Sequence, residues 1–286
     1  MKLPSLLDSV GTPLLIGLVL MLLFLQWLFP LRRQQFSWFR RLIRNYLFSI
    51  PGFVIVRVAM LPIPFALAIW AEYRYIGLLR WLDLQGWIAA IIGSVIMDYA
   101  YWWWHRANHL IPFLWRFHNV HHTDLDMDVT TAARFHFGEI CFSIAFLSLT
   151  VLLFGIAPLT FIVFFIVFEA AVCFHHSNWR LPIRLERVLN LVIVTPRMHG
   201  IHHSIIECET NSNWGTIFCW WDMLHRTVRR DIPQDSITIG VAAYRHDHEL
   251  TLGKLLALPF GKQREWRLPN GEKPERAAQP ANVLVE

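Results

Sequence analysis

Two uncharged runs constrain this chain more than anything else in it: residues 10–31 carry no charge over 22 positions, and residues 140–168 carry none over 29. About 20 apolar helical residues, at about 1.5 Å each, cross a hydrocarbon core about 30 Å thick, and lipid tolerates only backbone whose polar groups are satisfied internally. The expected fold class is therefore all-α, an integral membrane helical bundle. Composition agrees, because 55% hydrophobic and 16% charged residues are too apolar a mix for an ordinary soluble domain. A cleaved signal peptide would also explain the first run. No small-x-small cleavage site follows Leu31, so a retained span is expected.

A second span, at about residues 51–71, is interrupted by Arg57 and bent by Pro62 and Pro64. A third runs from about Gln85 into "MDYAYWWWHRANH", where Trp102, Trp103 and Trp104 suit a membrane interface. Gly155 and Pro158 split the 140–168 run into a helical hairpin, which gives about five spans in all. Arg32, Arg33, Arg40, Arg41 and Arg44 follow the first span directly. That positive-inside signature places their loop in the cytoplasm and the N-terminus outside, and counting crossings from there puts every histidine cluster on the cytoplasmic side. The net charge of +5 belongs with these arginines and gives no reason to expect nucleic acid. From Asn178 onward the chain is more polar and should form a cytoplasmic cap with short helices. Residues 261–286, rich in Pro and charge, are expected to be disordered.

The chemistry lies in the histidines. "FHNVHHTD" at 117–124 and "MHGIHHSI" at 198–205 share the spacing His-x-x-His-His. A buried imidazole needs its own hydrogen-bond partners, so rings used only for packing have no reason to cluster. On a helix, His118, His121 and His122 could present three ring nitrogens to one point, and His199, His202 and His203 could do the same. His105 and His109 in "HRANH" share a helix face, and His176 in "HHSN" stands at the end of the hairpin. These nine candidates exceed one metal's capacity, since zinc usually takes four ligands and octahedral ions six, so two metals are expected. Imidazole suits iron, copper, nickel and zinc alike. His136 and His175 are additional candidate ligands. His225, His246 and His248 fall outside the repeated spacing and read as surface or packing residues. Asp98 and Glu169 lie seven residues before His105 and His176, about two turns deeper on nearly the same helix face. Acids so placed are costly, and a common reason for one is a hydrogen bond to the distal nitrogen of a metal-bound histidine. Pairing with Arg57, Arg134 or water is the alternative. Cys141, Cys173, Cys208 and Cys219 form no Cys-x-x-Cys pair and read as packing residues.

Seven ordered motifs, "DYAYWWWHRANH", "FHNVHH", "ARFHFGE", "FHHSN", "TPRMHGIHHS", "TNSNWG" and "WWDMLHRT", resemble the fatty acid hydroxylase superfamily, also called the sterol desaturase family, and its bacterial branch above all. The resemblance covers roughly residues 98–259. It implies a membrane-bound non-haem di-iron enzyme that uses O2 to hydroxylate or desaturate a C–H bond of a fatty acyl, sterol-like or ether lipid. The family's histidine boxes fall on His105 and His109, on His118, His121 and His122, and on His199, His202 and His203. His176 matches the additional histidine before Asn178. No catalytic side chain beyond the metal ligands is implied, and Asn178, Asn213 and Asp222 stand at family positions that support the ligands or the framework. The family's Leu-Phe-Gly-Thr ending is "LHRT" here, with His225 and Arg226 in place of Phe and Gly, and Phe137 stands where bacterial relatives often have Pro. The implied organisation is N-terminal spans and loops over residues 1–83, a catalytic domain over 84–260 and the tail over 261–286.

No haem domain of the cytochrome b5 kind is fused to the chain, so electrons are expected from a separate ferredoxin- or cytochrome-type donor with its reductase. A bacterial inner membrane with a cytoplasmic active site is the expected location. Two other classes compete. A histidine-rich metal transporter without oxygenase activity would need polar residues across the midplane, where the 140–168 hairpin offers only small hydroxyls and Cys141. A membrane metalloprotease would need His-Glu-x-x-His, which is absent.

Overall fold

The computed structural model describes residues 7–276. All regular structure among them is helical, with three isolated bridges in place of strands. Helix α1 (Thr12–Leu28) is apolar on every side and leaves Leu14, Leu20, Phe24 and Trp27 exposed by 57% or more, side chains that water would not tolerate together but lipid does. The arginines after it only begin in a loop, where Arg32 and Arg33 lie. Arg40, Arg41 and Arg44 sit on the first two turns of α2 (Trp38–Ile55), and a single π turn (Val56–Met60) joins α2 to α3 (Pro62–Tyr73). The expected second span is thus the inner part of a continuous apolar stretch, Trp38–Trp81. Pro51 and Pro62 each lack a backbone N–H, and the π turn between them is where the ladder readjusts.

Helix α4 (Gly86–Leu110) leads through Pro112 into α5 (Pro112–His122), and the hairpin is α6 (Phe137–Phe154) and α7 (Pro158–His176). Among the described residues, four segments are long and apolar enough to cross a membrane: Ser9–Leu28, Trp38–Trp81, Phe137–Phe154 and Pro158–His176. Helix α4, the expected third span, has 25 residues, about 37 Å at 1.5 Å each, but is not among them. Asp98, His105, Arg106, Asn108 and His109 lower its hydropathy, and it packs between α6 and α7 instead of standing alone in lipid.

The segments alternate between two poles. At one pole the turn before α4 meets the turn between α6 and α7, where Gly77 and Gly155 both have positive φ and a Cβ on either would collide with the backbone of the other turn. At the opposite pole α1, α4 and α7 end and α2 and α6 begin. There the Leu31 N–H donates to the Asn178 carbonyl (2.7 Å) and the Arg180 N–H to the Phe29 carbonyl (2.8 Å). Short helices α8 (Ile183–Leu189) and α9 (Pro196–His202) begin the cap over this pole. Residues 261–276, expected to be disordered, lie against the cap. Trp266 packs on Trp115 (5.7 Å between rings) and donates to the Ile205 carbonyl, and Arg276 pairs with Glu209. Apolar and ionic contacts repay the ordering of that segment; residues 277–286 of the same tail lie outside the described residues.

A buried ionic clamp fixes α2 to the loop that follows α5. Arg41 donates from Nε and Nη2 to both oxygens of Asp124 (2.9 Å each), from Nη1 to Asp128 (2.8 Å) and from Nη2 to the Asp126 carbonyl (2.7 Å). Asn45 donates to Asp124, and Arg134 donates to Asn45 Oδ1, Thr123 and the Val120 carbonyl. Burial raises the Asp124 carboxyl, but the facing Arg41 guanidinium outweighs it and holds Asp124 well below the usual carboxylate range. This stabilisation is present above that range and is lost as pH falls below it. Arg41→Met strands two buried carboxylates and should destabilise the protein by about 3–5 kcal/mol. Thermal unfolding in detergent micelles measures this, and adding Asp124→Asn should recover part of the loss.

Candidate metal centre

Four segments bring the candidate rings together. The end of α4 supplies His105 and His109, α5 supplies His118, His121 and His122, α7 ends on His176, and α9 supplies His199 and His202 with His203 at its C-terminal cap. The ring nitrogens sort into two groups, each with its ligand atoms within 4.8 Å of one another: His105, His109, His118, His122 and His202, and separately His121, His176, His199 and His203. Neither triplet converges on one point, as the spacing had suggested. Successive helical residues are turned by about 100°, so His121 and His122 diverge while His118 and His122, four apart, stay in one stripe. His199 and His203 repeat the four-residue pairing in the second group, and His202 crosses to the first. Each His-x-x-His-His motif therefore bridges the two groups, which is why the motif occurs twice.

The outward nitrogens fix the inward ones. His105 Nδ1 donates to the Trp214 carbonyl (2.9 Å), His202 Nδ1 to the Ser212 carbonyl (2.8 Å) and His176 Nδ1 to the Val172 carbonyl (2.8 Å). A carbonyl can only accept, so these rings carry their proton on Nδ1 and turn an Nε2 lone pair inward. His118 Nδ1 meets Glu139 Oε1 at 2.9 Å. Inside, Nε2 faces Nε2 between His118 and His122 (3.2 Å), His121 and His176 (3.0 Å), and His176 and His199 (3.0 Å). His202 Nε2 and both nitrogens of His109 and His203 are buried with no partner among the described residues. Buried ring nitrogens with no partner are costly unless a cation sits among them, so the donor set fits two metal ions. Burial first, and neighbouring rings second, push His121, His122, His199, His202 and His203 well below 6.5. The rings are thereby held neutral, the form that binds metal.

Other expected residues stand elsewhere. His136 caps α6, accepting from the Gly138 N–H (3.0 Å) on Nδ1, while its Nε2 donates to the Leu256 carbonyl (3.2 Å). Both nitrogens are used, and it joins neither group. His175 donates from Nδ1 to the Thr216 carbonyl (3.1 Å) and is also outside both groups, although its ring lies 4.0 Å from that of His199. Asp98 reaches no histidine. It accepts from the Ile217 and Phe218 N–H groups (3.2 Å each) and from Trp221 Nε1 (2.7 Å), tying the cap loop to α4. Glu169 has no hydrogen bond or ion pair among the described residues and lines a cavity. The carboxylate behind a ring is Glu139, whose only sequence signal was its place in the first turn of α6, three residues after His136 in "ARFHFGE".

The cap supports the rings at one remove. Asp222 accepts from Trp102 Nε1, the Trp214 and Gly215 N–H groups and Thr227 Oγ1, so it sets the Trp214 carbonyl that holds His105. Asn213 has φ 51°, a left-handed conformation that Asn adopts more readily than most residues, and donates to the Met198 carbonyl (2.9 Å). Asn178 exchanges two hydrogen bonds with the Arg32 backbone. Trp102 is fully buried here and Trp104 donates to Ser143, so only Trp103 of the expected interfacial belt is exposed. His225 stacks on Trp102 (4.2 Å, 16°) as a Phe would, and Arg226 takes a positive φ of 58°, the conformation for which the family pattern has Gly.

A cavity of about 630 Å³ runs from the rings between α1, α2, α4 and α7. His105, His118, His121, His176 and His199 line it at one end, and Leu15, Val19, Phe53, Val56, Met60 and Phe165 are among its apolar walls. Replacing Glu139 with Ala frees the His118 ring and should weaken metal binding by about 10- to 100-fold. Anaerobic titration of the metal-free protein with Co(II), followed optically, measures the loss, and unchanged affinity would remove Glu139 from the ligand framework.

The sequence profile of the fatty acid hydroxylase family matches residues 90–227, the stretch that carries every ring of both groups. An ornithine lipid hydroxylase of Rhizobium tropici is 31% identical over 188 residues, 65% of this chain and 54% of that protein. An alkylglycerol monooxygenase of Danio rerio is 27% identical over 270 residues, 90% of this chain and 55% of that protein. Human cholesterol 25-hydroxylase is 28% identical over 139 residues, 47% of this chain and 49% of that protein. The chain thus spans about half the length of these curated relatives. No solved structure matches it significantly. By its motifs and its family profile, the stretch 90–227 of this chain is a fatty acid hydroxylase domain.

Proposed function

We propose that this protein is a membrane-bound, non-haem di-iron oxygenase that uses O2 to hydroxylate or desaturate a C–H bond of a membrane lipid. One observation carries the reading: an apolar cavity, bounded by helices long enough to cross a bilayer, ends on two groups of clustered histidines. The nine ligands proposed are His105, His109, His118, His122 and His202 for one ion, and His121, His176, His199 and His203 for the other. Two bound irons would supply the redox chemistry that activates dioxygen against an unactivated carbon. The protein's own part is placement and exclusion. Apolar walls from α1, α2 and α7 align a hydrocarbon by packing, since such surface offers a lipid what the bilayer offers it. Burial of the rings excludes water, and the acceptors behind His105, His118, His176 and His202 keep their inward nitrogens deprotonated.

The named relatives act on ornithine lipids, alkylglycerols and cholesterol, which share a long apolar body rather than a head group. A fatty acyl, sterol-like or ether lipid is accordingly the substrate class. Electrons are assigned to a separate ferredoxin- or cytochrome-type donor. Arg33, Arg40 and Arg44 lie at the same pole as the rings, which by the positive-inside rule favours a cytoplasmic site, in a bacterial inner membrane. Cells expressing the protein and grown under 18O2 should accumulate a lipid that has gained one labelled oxygen or lost two hydrogens. The product should vanish in the His121→Ala and His202→Ala variants. Identical lipid mass spectra with and without the intact protein would contradict the assignment.

A further inference from the structure

Glu169 is the one acid of the cavity wall for which the site described so far has no use. It lies on α7 seven residues before His176, roughly 10 Å along the helix axis at about 1.5 Å per residue. Its carboxyl group faces the cavity, and no described side chain or backbone group reaches it. Tyr101 on α4 lines the same cavity, and its hydroxyl is buried without a partner while its ring packs on Phe164 and Phe168. A carboxyl group left unsatisfied in a mostly apolar, membrane-embedded chamber is costly unless the occupant satisfies it, and a few fixed polar groups are how such chambers orient a ligand.

We infer that Glu169 is a specificity-determining residue that hydrogen-bonds a hydroxyl group of the lipid substrate, held roughly 10 Å from the ring cluster where the oxidised carbon lies. A hydroxyl fits because it both donates and accepts, and because stripping water from it costs far less than stripping water from an ammonium or phosphate. The occupant is therefore an apolar lipid with a polar group away from the reacting carbon, not a plain hydrocarbon chain. The identity of the occupant rests on the lipid-oxygenase reading.

The test compares two probes that differ by one group, dodecyl alcohol and dodecane, on the full-length metal-loaded protein in phosphatidylcholine nanodiscs. Each displaces a brominated alkane that quenches tryptophan fluorescence when it binds beside Trp104, another residue of the cavity wall. After correction for partitioning into protein-free nanodiscs, the alcohol should displace the quencher about threefold or more better than the alkane. Glu169→Leu should abolish that preference and Glu169→Gln should keep it. No preference in the unaltered protein, or a preference that survives in Glu169→Leu, overturns the inference. A stronger preference for dodecylammonium overturns the hydroxyl assignment in favour of a cation. Should Glu169→Leu fail to fold, infrared difference spectra of the unaltered protein decide: the alcohol must shift a carboxyl stretching band that the alkane leaves in place. The two readings fail separately. An intact preference without 18O incorporation removes the oxygenase and leaves Glu169 as a ligand residue, whereas incorporation without the preference does the reverse.

Discussion

Nine imidazole rings that turn their nitrogens toward one another in a dry interior are the constraint on which the rest of the structure depends. Facing Nε2 atoms at 3.0 to 3.2 Å let a neutral pair share one proton, but five buried nitrogens of His109, His202 and His203 have no partner among the described residues, and a protonated cluster would be worse. Burial favours neutral rings at His121, His122, His199, His202 and His203, and nitrogens so placed need a cation. The fold delivers them by ending α4, α5, α7 and α9 at one pole and pinning the opposite pole through Gly77 and Gly155. Membrane helices suit this task because their length is set by the bilayer and their ends are registered to one another.

Rigidity at the ring pole comes from polar groups that no membrane could hydrate. Asp124, Asp128, Arg41, Asn45 and Arg134 form a charge-balanced knot directly after the ring-bearing α5, and Asp98 and Asp222 do the same for the cap loops. Each carboxylate accepts from several donors, so none is left unsatisfied. The cap then returns carbonyls to the outward nitrogens of His105, His175 and His202, which converts cap folding into ring orientation. Glu169, which faces the cavity, accepts no hydrogen bond among the described residues.

Much of this was legible in the sequence. The uncharged runs at 10–31 and 140–168 gave the spans, because bilayer thickness sets helix length regardless of packing. The nine rings that cluster are those whose spacing singled them out. What failed was anything requiring direction in three dimensions. The spacing could not say that His121 and His122 point to different groups. It offered Asp98 a histidine, an arginine or water as partner, whereas the carboxylate accepts from two backbone amides of a loop more than a hundred residues away and from the Trp221 indole. Glu139 was missed because an acid beside a histidine in the first turn of a helix looks like ordinary capping. Arg41 and Trp102 read as interface residues because sequence carries no information about burial.

The central claim is that two separate groups of rings hold two irons. The most direct measurement is iron per chain, by inductively coupled plasma mass spectrometry on protein loaded anaerobically, in the unaltered protein and in His122→Ala and His203→Ala. Loss of His122 removes one of five rings from one group, and loss of His203 one of four from the other. The account predicts two irons in the unaltered protein, a selective weakening of one iron in each variant, and a greater loss in His203→Ala, whose group has fewer rings to spare. A stoichiometry of one iron per chain in the unaltered, active protein would contradict it.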